Sequence, residues 1–384
     1  MSSAADIRNI AVLGATGSIG RNAAAVIAAA PGRFRLYAAA ARRNADELSR
    51  QCALLHPSVV ALTDETAARD AAKKLPSGVK LLSGDDALVG IATLPEVDTV
   101  LCAVTGIGGV RAVIAALQAG KRVALASKEV LVTTGDIVTA IPTGELIPVD
   151  SEHSGVFQCL AGRKKSEISR ITLTASGGPF RTWSKERIAA ATFADARKHP
   201  VWEMGDKVSV DSATLMNKVL ELIEARYLFD LPPEKLATVI HPQSVVHALV
   251  ELCDGSVISQ LANPDMKLAI QYALSCPERL TDRPAGTLDL VKLGKLEFFA
   301  PDEKRFPALA VGRIALERGG AAPAVLNAAN EAAVERFVKG DIPLPRIWEL
   351  AAEALERCGN FDDGTLESRF AADADARRYV MEHS

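Results

Sequence analysis

No apolar run in this 384-residue sequence approaches the length that spans a bilayer, so membrane partners and membrane-embedded functions are set aside. A surplus of positive charge is missing too: 44 Lys and Arg against 47 Asp and Glu give a formal net charge of −3. No basic cluster interleaved with aromatics appears, which excludes a general attraction to nucleic acid or acidic lipid. The cysteines (Cys52, Cys102, Cys159, Cys253, Cys276 and Cys358) form no C-x-x-C pair and have no metal-spaced histidines near them. The common zinc patterns are thereby removed, and reduced, mostly buried thiols are expected. Repeats and low-complexity tails are absent. Met1 to Asn9 carry neither a charged segment leading into an apolar one nor an Arg- and Ser-rich stretch, so the expected location is cytoplasmic.

What is present is ample apolar content, 48%, and length for two or three domains. Short apolar or β-branched runs near 9–13, 34–40, 58–62, 98–103, 122–126 and 145–149 alternate with helical segments. That rhythm predicts a doubly wound parallel sheet over residues 1–150. A different order follows: a strand near 168–175, a turn at Gly177, Gly178 and Pro179, then runs at 236–240, 244–252 and 256–261, with Asp254 and Gly255 signalling a hairpin. Residues 151–276 therefore read as α+β. Residues 277–305, rich in Pro, Gly, Asp and Lys, read as a connector, and helical periodicity dominates 306–384. The expected class is α/β: an N-terminal Rossmann-like doubly wound parallel sheet, a central α+β catalytic domain and a C-terminal helical domain.

The first strand runs into Gly14-Ala-Thr16-Gly17-Ser18-Ile19-Gly20 ahead of an Ala-rich helix. Small residues at this G-x-x-G-x-x-G spacing let backbone approach a pyrophosphate at a helix N-terminus. The second strand ends in Arg42, Arg43 and Asn44, where an NAD-preferring domain presents an acidic residue to the ribose. Two arginines there point to the 2′-phosphate of NADP(H), although ordinary solvated loop charges would look the same in sequence.

The richest stretch is His199 to Glu224, HPVWEMGDKVSVDSATLMNKVLELIE. On one helix, Asn217, Lys218 and Glu221 share an arc of roughly 100°, opposite an apolar face. Ser212 is expected at that helix's N-cap or first turn, where free N–H groups favour a phosphate that Asn217 and Lys218 also reach. A second acidic group follows the apolar run 146–149. If the strand continues, Asp150 and Glu152, two apart, point the same way. Asp150, Glu152 and Glu221 make an all-oxygen set suited to Mg²⁺ or Mn²⁺; taken singly, such residues can equally be helix caps and solvated charges.

These segments resemble a known family, 1-deoxy-D-xylulose 5-phosphate reductoisomerase. GATGSIG, SKEVLV (127–132), PVDSEHS (148–154), SGGPFR (176–181), HPVWEMGDKVSVDSATLMNK (199–218) and LNAANEAAV (326–334) are similar to its motifs, in its order. The resemblance implies a soluble homodimer that uses NADPH and a divalent metal (Mg²⁺, Mn²⁺ or Co²⁺). The implied reaction rearranges and reduces a phosphosugar, 1-deoxy-D-xylulose 5-phosphate, to 2-C-methyl-D-erythritol 4-phosphate for isoprenoid synthesis. Retro-aldol and ketol-shift routes both remain open.

The resemblance implies Asp150, Glu152 and Glu221 as metal ligands and Lys128, Glu152, His153 and His199 as the catalytic set. Substrate contacts would come from Lys128, Ser151, Glu152, Ser176, His199, Ser212, Asn217, Lys218 and Glu221, with Trp202 and Met204 as a lid. Thr16, Gly17, Ser18, Ile19, Arg42, Arg43, Asn44, Ser127, Glu129 and Gly205 would contact NADPH. Three positions depart from the family pattern: Arg42 where Gly is common, Ser127 where Asn is expected, and Asp206 where a basic residue is frequent. Two rival classes share features. A semialdehyde-type dehydrogenase would present a catalytic Cys instead of three carboxylates, and a non-catalytic sensor would not oxidise NADPH.

Overall fold

Seven short strands in the N-terminal part form one parallel sheet: β1 (Arg8–Leu13), β2 (Phe34–Ala41), β3 (Val59–Leu62), β4 (Lys80–Ser83), β5 (Thr99–Cys102), β6 (Arg122–Leu125) and β7 (Glu145–Pro148). Their order is β4-β3-β2-β1-β5-β6-β7, and each neighbouring pair is parallel. β3 (VVAL) and β5 (TVLC) are buried along their whole length, and β1 over its last four residues. Such unbroken apolar runs are what a sheet covered on both faces demands. β4 lies at the edge with partly exposed residues, which is why it carries no clear strand signal in the sequence. The order reverses between β1 and β5, and ligands of doubly wound sheets bind outside the carboxyl ends of strands at such a switch point.

This computed structural model describes residues 7–202, 204–359 and 362–383, so most of the stretch Met1 to Asn9 read above lies outside the described residues. By contacts the chain forms two compact units, each discontinuous in sequence. The first comprises Met1–Val130, Ala140–Ser154 and Asp265–Gly286, and the second Leu131–Thr139, Gly155–Pro264 and Thr287–Ser384. In the first, helix Met266–Ser275 packs on helix Ser18–Ala29. Arg8 donates to the Leu274 carbonyl at 2.7 Å and Arg122 to that of Cys276 at 2.6 Å, placing cations where the carbonyl end of that helix favours them.

The second unit holds a four-stranded sheet of β8 (Ile168–Ala175), β9 (Leu236–Ile240), β10 (Val246–Leu252) and β11 (Val257–Leu261), in the order β11-β10-β8-β9. β10 is antiparallel to β8 and β11, and Gly255, at φ +85°, turns the β10–β11 hairpin. Helix Met216–Leu228 shares its core with the C-terminal helices Ala308–Arg318, Ala322–Lys339, Arg346–Arg357 and Leu366–Glu382. Met216, Leu220 and Ile223 are buried in the same cluster as Leu326, Ala329 and Leu350. Burying that one apolar face fixes the helix that carries Asn217, Lys218 and Glu221. Among the described residues no helix is long and apolar enough to cross a membrane.

Candidate active site

In the first unit the glycine turn is fixed by sterics. Gly14 has φ +86°, and a Cβ on it would stand 2.3 Å from the Ala103 carbonyl oxygen. A Cβ on Gly20 would stand 2.4 Å from the carbonyl oxygens of Gly14 and Ala15. Gly17 differs: it has ordinary extended backbone and caps helix Ser18–Ala29 with no side-chain bond. Thr16, Gly17, Ser18 and Ile19 thus border first-turn N–H groups that no capping side chain satisfies. At the end of β2, Arg42 is exposed, while Arg43 Nε pairs with Asp64 Oδ2 at 2.5 Å. Asn44 caps helix Ala45–Leu55 by accepting from the Glu47 N–H at 3.1 Å. Ser127 is buried and donates to the Val104 carbonyl at 2.6 Å, bracing the loop against which Gly14 rests; Glu129 is buried as well.

The carboxylates following β7 are arranged differently from the strand expectation. β7 ends at Pro148, and Glu152 lies in the first turn of helix Ser151–Leu160. Asp150 and Glu152 are therefore not alternate residues of one strand. Asp150 Oδ1 accepts from the Ser151 N–H at 3.0 Å, and Ser151 Oγ donates to Glu152 Oε2 at 2.5 Å. Lys128 opens helix Lys128–Thr139, and its Nζ meets Asp150 Oδ2 at 2.5 Å. Both side chains are largely buried. His153 is fully buried one residue beyond Glu152.

The second unit corrects the expected position of Ser212. The stretch 206–228 is two helices, Asp206–Thr214 and Met216–Leu228, separated by Leu215 at φ +63°. Ser212 thus lies in the last turn of the first helix instead of at the N-terminus of the second. A left-handed conformation at leucine carries no sequence signal, because it costs energy that only the surrounding packing offsets. The Gly177-Gly178 turn, at φ +85° and +64°, reaches this break: a Cβ on Gly178 would stand 2.4 Å from the Ser212 carbonyl oxygen. Lys218 and Glu221 are nearly inaccessible, and Glu221 receives Lys218 Nζ on one oxygen and Asn217 Nδ2 on the other. The polar face of this helix is therefore as buried as its apolar face.

His199 ties the backbone at Val201 and Trp202 to Ser176. Its Nδ1 accepts N–H bonds from Val201 at 3.2 Å and Trp202 at 2.8 Å. Two donors on Nδ1 place the ring proton on Nε2, which then donates to Ser176 Oγ at 2.9 Å. Ser176 Oγ also accepts from the Gly178 N–H at 3.1 Å, which leaves the serine proton available to an acceptor outside this set. Burial holds the His199 imidazole below its ordinary pKa, favouring the neutral ring. Trp202 and Met204 are partly exposed, and Gly205 caps helix Asp206–Thr214. Sequence reasoning named Ser176 and His199 separately; nothing in a 23-residue separation shows that they pair.

Known proteins give a consistent picture. Family profiles match residues 10–135 (1-deoxy-D-xylulose 5-phosphate reductoisomerase), 146–229 (the C-terminal domain of that enzyme) and 261–379 (DXP reductoisomerase C-terminal domain). A 1-deoxy-D-xylulose 5-phosphate reductoisomerase of Symbiobacterium thermophilum is 46% identical over 98% of this chain and 98% of its own. One of Caldanaerobacter subterraneus is 44% identical over 98% and 99%. The crystallised Zymomonas mobilis reductoisomerase in complex with NADPH superposes with a TM-score of 0.92 at 40% identity, covering 98% of this chain and 99% of that one. A DOX-P reductoisomerase in complex with NADPH, fosmidomycin and magnesium superposes at 0.90 with 38% identity, over 98% of each chain. The chain belongs to the 1-deoxy-D-xylulose 5-phosphate reductoisomerase family.

Proposed function

We propose that this protein is a cytoplasmic, homodimeric enzyme that rearranges 1-deoxy-D-xylulose 5-phosphate and reduces it to 2-C-methyl-D-erythritol 4-phosphate with NADPH and a divalent metal. The observation that carries this reading is a pair of hydrogen-bonded groups, half-buried Ser176 with His199 and half-buried Asn217 with the buried Lys218 and Glu221. A charged, hydrogen-bonded group of this kind is a poor investment for folding alone and well suited to a phosphosugar. Ser176, with its hydroxyl proton uncommitted, donates to a phosphate oxygen, while Ser212, Asn217 and Lys218 supply further donors. His199 holds Ser176 through Nε2 and the lid backbone through Nδ1. Phosphate binding and closure of Trp202 and Met204 are thereby connected, and closure excludes water from the reacting carbons. Lys128, Ser151, Glu152 and His153 act on the sugar end.

Asp150, Glu152 and Glu221 would hold Mg²⁺, Mn²⁺ or Co²⁺. The donor set is all oxygen, and lysine ammonium groups already sit on two of its members, Lys128 on Asp150 and Lys218 on Glu221, where positive charge is wanted. The metal supplies Lewis-acid polarisation and NADPH the hydride. Thr16, Gly17, Ser18 and Ile19 would receive the pyrophosphate, Arg42, Arg43 and Asn44 the 2′-phosphate, and Ser127, Glu129 and Gly205 would complete the dinucleotide site. Ser127 acts there by holding the Val104 carbonyl. The test is product analysis: purified protein with the ketose phosphate, NADPH and Mg²⁺ should yield the branched alditol phosphate, and excess chelator should stop it. Absence of product with metal present, or unchanged product with chelator, contradicts the reading.

A further inference from the structure

Helix Asp206–Thr214 begins right after the lid and carries Ser212 in its last turn, so whatever orients it sets both the base of the lid and one wall of the phosphate seat. Continuity with helix Met216–Leu228 does not orient it, because the left-handed Leu215 breaks the backbone ladder between them. Nor does the ion pair of Arg197 with Asp206, at 3.3 Å with more than half of each side chain in solvent, since exposed pairs contribute little.

A different group lies on the buried side. Asp211 is 1% exposed, and its Oδ1 accepts from Asn330 Nδ2 at 2.8 Å. Its Oδ2 faces Lys207 Nζ at 3.0 Å, one turn back on the same helix. Lys207 also lies 4.0 Å from Glu331, which pairs with Arg377 at 2.6 Å, and Arg377 with Asp373 at 2.6 Å. Charges of alternating sign thus run from the first turn after the lid through helix Ala322–Lys339 to helix Leu366–Glu382. The surrounding core is apolar: Val210, Ala213, Ala329 and Ala333. Apolar side chains at 211 and 330 would bury as well, but they would tolerate sliding of one helix on the other. A buried carboxylate with one fixed amide partner tolerates only one register.

We propose that Lys207, Asp211 and Asn330 are positioning residues that hold helix Asp206–Thr214 in the one register at which Ser212 and the lid base meet the substrate phosphate. The inference rests on the function proposed above. It is tested with Lys207→Met, Lys207→Arg and Asn330→Leu in the full-length protein, measuring kcat, both Michaelis constants, competitive inhibition by inorganic phosphate, and Tm. Displacement of a binding group by about an ångström has large kinetic consequences. Lys207→Met and Asn330→Leu should therefore raise the KM of the sugar phosphate by roughly tenfold or more and weaken inhibition by inorganic phosphate in parallel, with the KM of NADPH within about twofold of wild type. Lys207→Arg, which keeps the charge, should recover most of the loss. If Asn330→Leu does not fold, Lys207→Met decides alone, because Lys207 is partly exposed and its removal leaves Asp211 bonded to Asn330. A fall in Tm without a change in the sugar-phosphate KM overturns the inference, as does an equal rise in both Michaelis constants. A wild-type protein that does not turn over the sugar phosphate overturns the proposed function and this inference together, whereas active wild type with unaltered variants overturns only the inference.

Discussion

The glycine turn of the first unit and the phosphate seat of the second are both proposed to receive phosphate, and they are built in opposite ways. The turn is shaped mainly by backbone: no acidic side chain occupies the first turn of helix Ser18–Ala29, its form comes from atoms that leave no room for a Cβ at Gly14 and Gly20, and Arg21 and Gln51 only donate to the Thr16 and Ala15 carbonyls at 2.7 and 2.8 Å. The seat uses a buried ion pair, Lys218 on Glu221, beside a half-buried neutral hydrogen bond of His199 to Ser176. Shape held by sterics is insensitive to pH and salt but fails when one methyl group is added. Shape held by buried charge accepts changes of volume better but depends on every partner staying in its protonation state.

The sharpest way to break the contrast is at Lys218. Lys218→Met keeps the volume and leaves the Glu221 carboxylate buried with Asn217, so kcat/KM for the sugar phosphate should fall on the order of 10²–10³-fold while NADPH affinity is retained. Steady-state kinetics with NADPH binding followed by fluorescence checks it. In the turn, Gly14→Ala should destabilise the fold by at least about 1–3 kcal/mol, because it adds both a clash with Ala103 and a strained φ. Gly17→Ala, in ordinary backbone with 3.4 Å to its nearest neighbour atom, should leave Tm within a degree or two of wild type. It should weaken NADPH instead, through the lost backbone approach. Equal Tm losses for the two variants would mean that Gly17 serves folding and not the cofactor.

A smaller effect separates the regions by pH. Burial pulls the His199 pKa below its ordinary value near 6.5. The folded protein therefore resists a proton that the unfolded chain takes up as pH falls past that value. The stability His199 contributes above it is lost progressively below it, down through the depressed folded value. Protonating Nδ1 also removes the acceptor for the Val201 and Trp202 N–H groups. The sugar-phosphate KM should accordingly rise only as pH falls through the depressed folded value of His199, on the acid side of its ordinary range, with NADPH affinity unaffected. His199→Asn, which supplies an oxygen near the place of Nδ1, should lose this component of the profile. An identical pH profile in that variant would remove His199 from the account.

How much of this was legible depends on which interaction sets the shape. Local patterns carried the fold: the apolar runs of β1, β2 and β3 and the Asp254-Gly255 hairpin announce themselves because burial and turn chemistry act over a few residues. β4 escaped because an edge strand of four residues, partly in solvent, needs no pattern. Ser212 was placed on the wrong helix, since the break at Leu215 is imposed by packing around it. Glu152 lies in a helix because β7 ends one residue before its apolar run does and helix Ser151–Leu160 begins at once. The pairing of Asp211 with Asn330, 119 residues apart, leaves no mark in sequence beyond the four-residue spacing from Lys207.

The central claim is that Asp150, Glu152 and Glu221 hold one divalent cation. Titration with Mn²⁺, reading the free ion by electron paramagnetic resonance, tests it in wild type and in Glu221→Gln. The account predicts one site per chain in the wild type and a loss of affinity of more than about tenfold in the variant. Equal affinity in the two proteins, or no site in either, would contradict it.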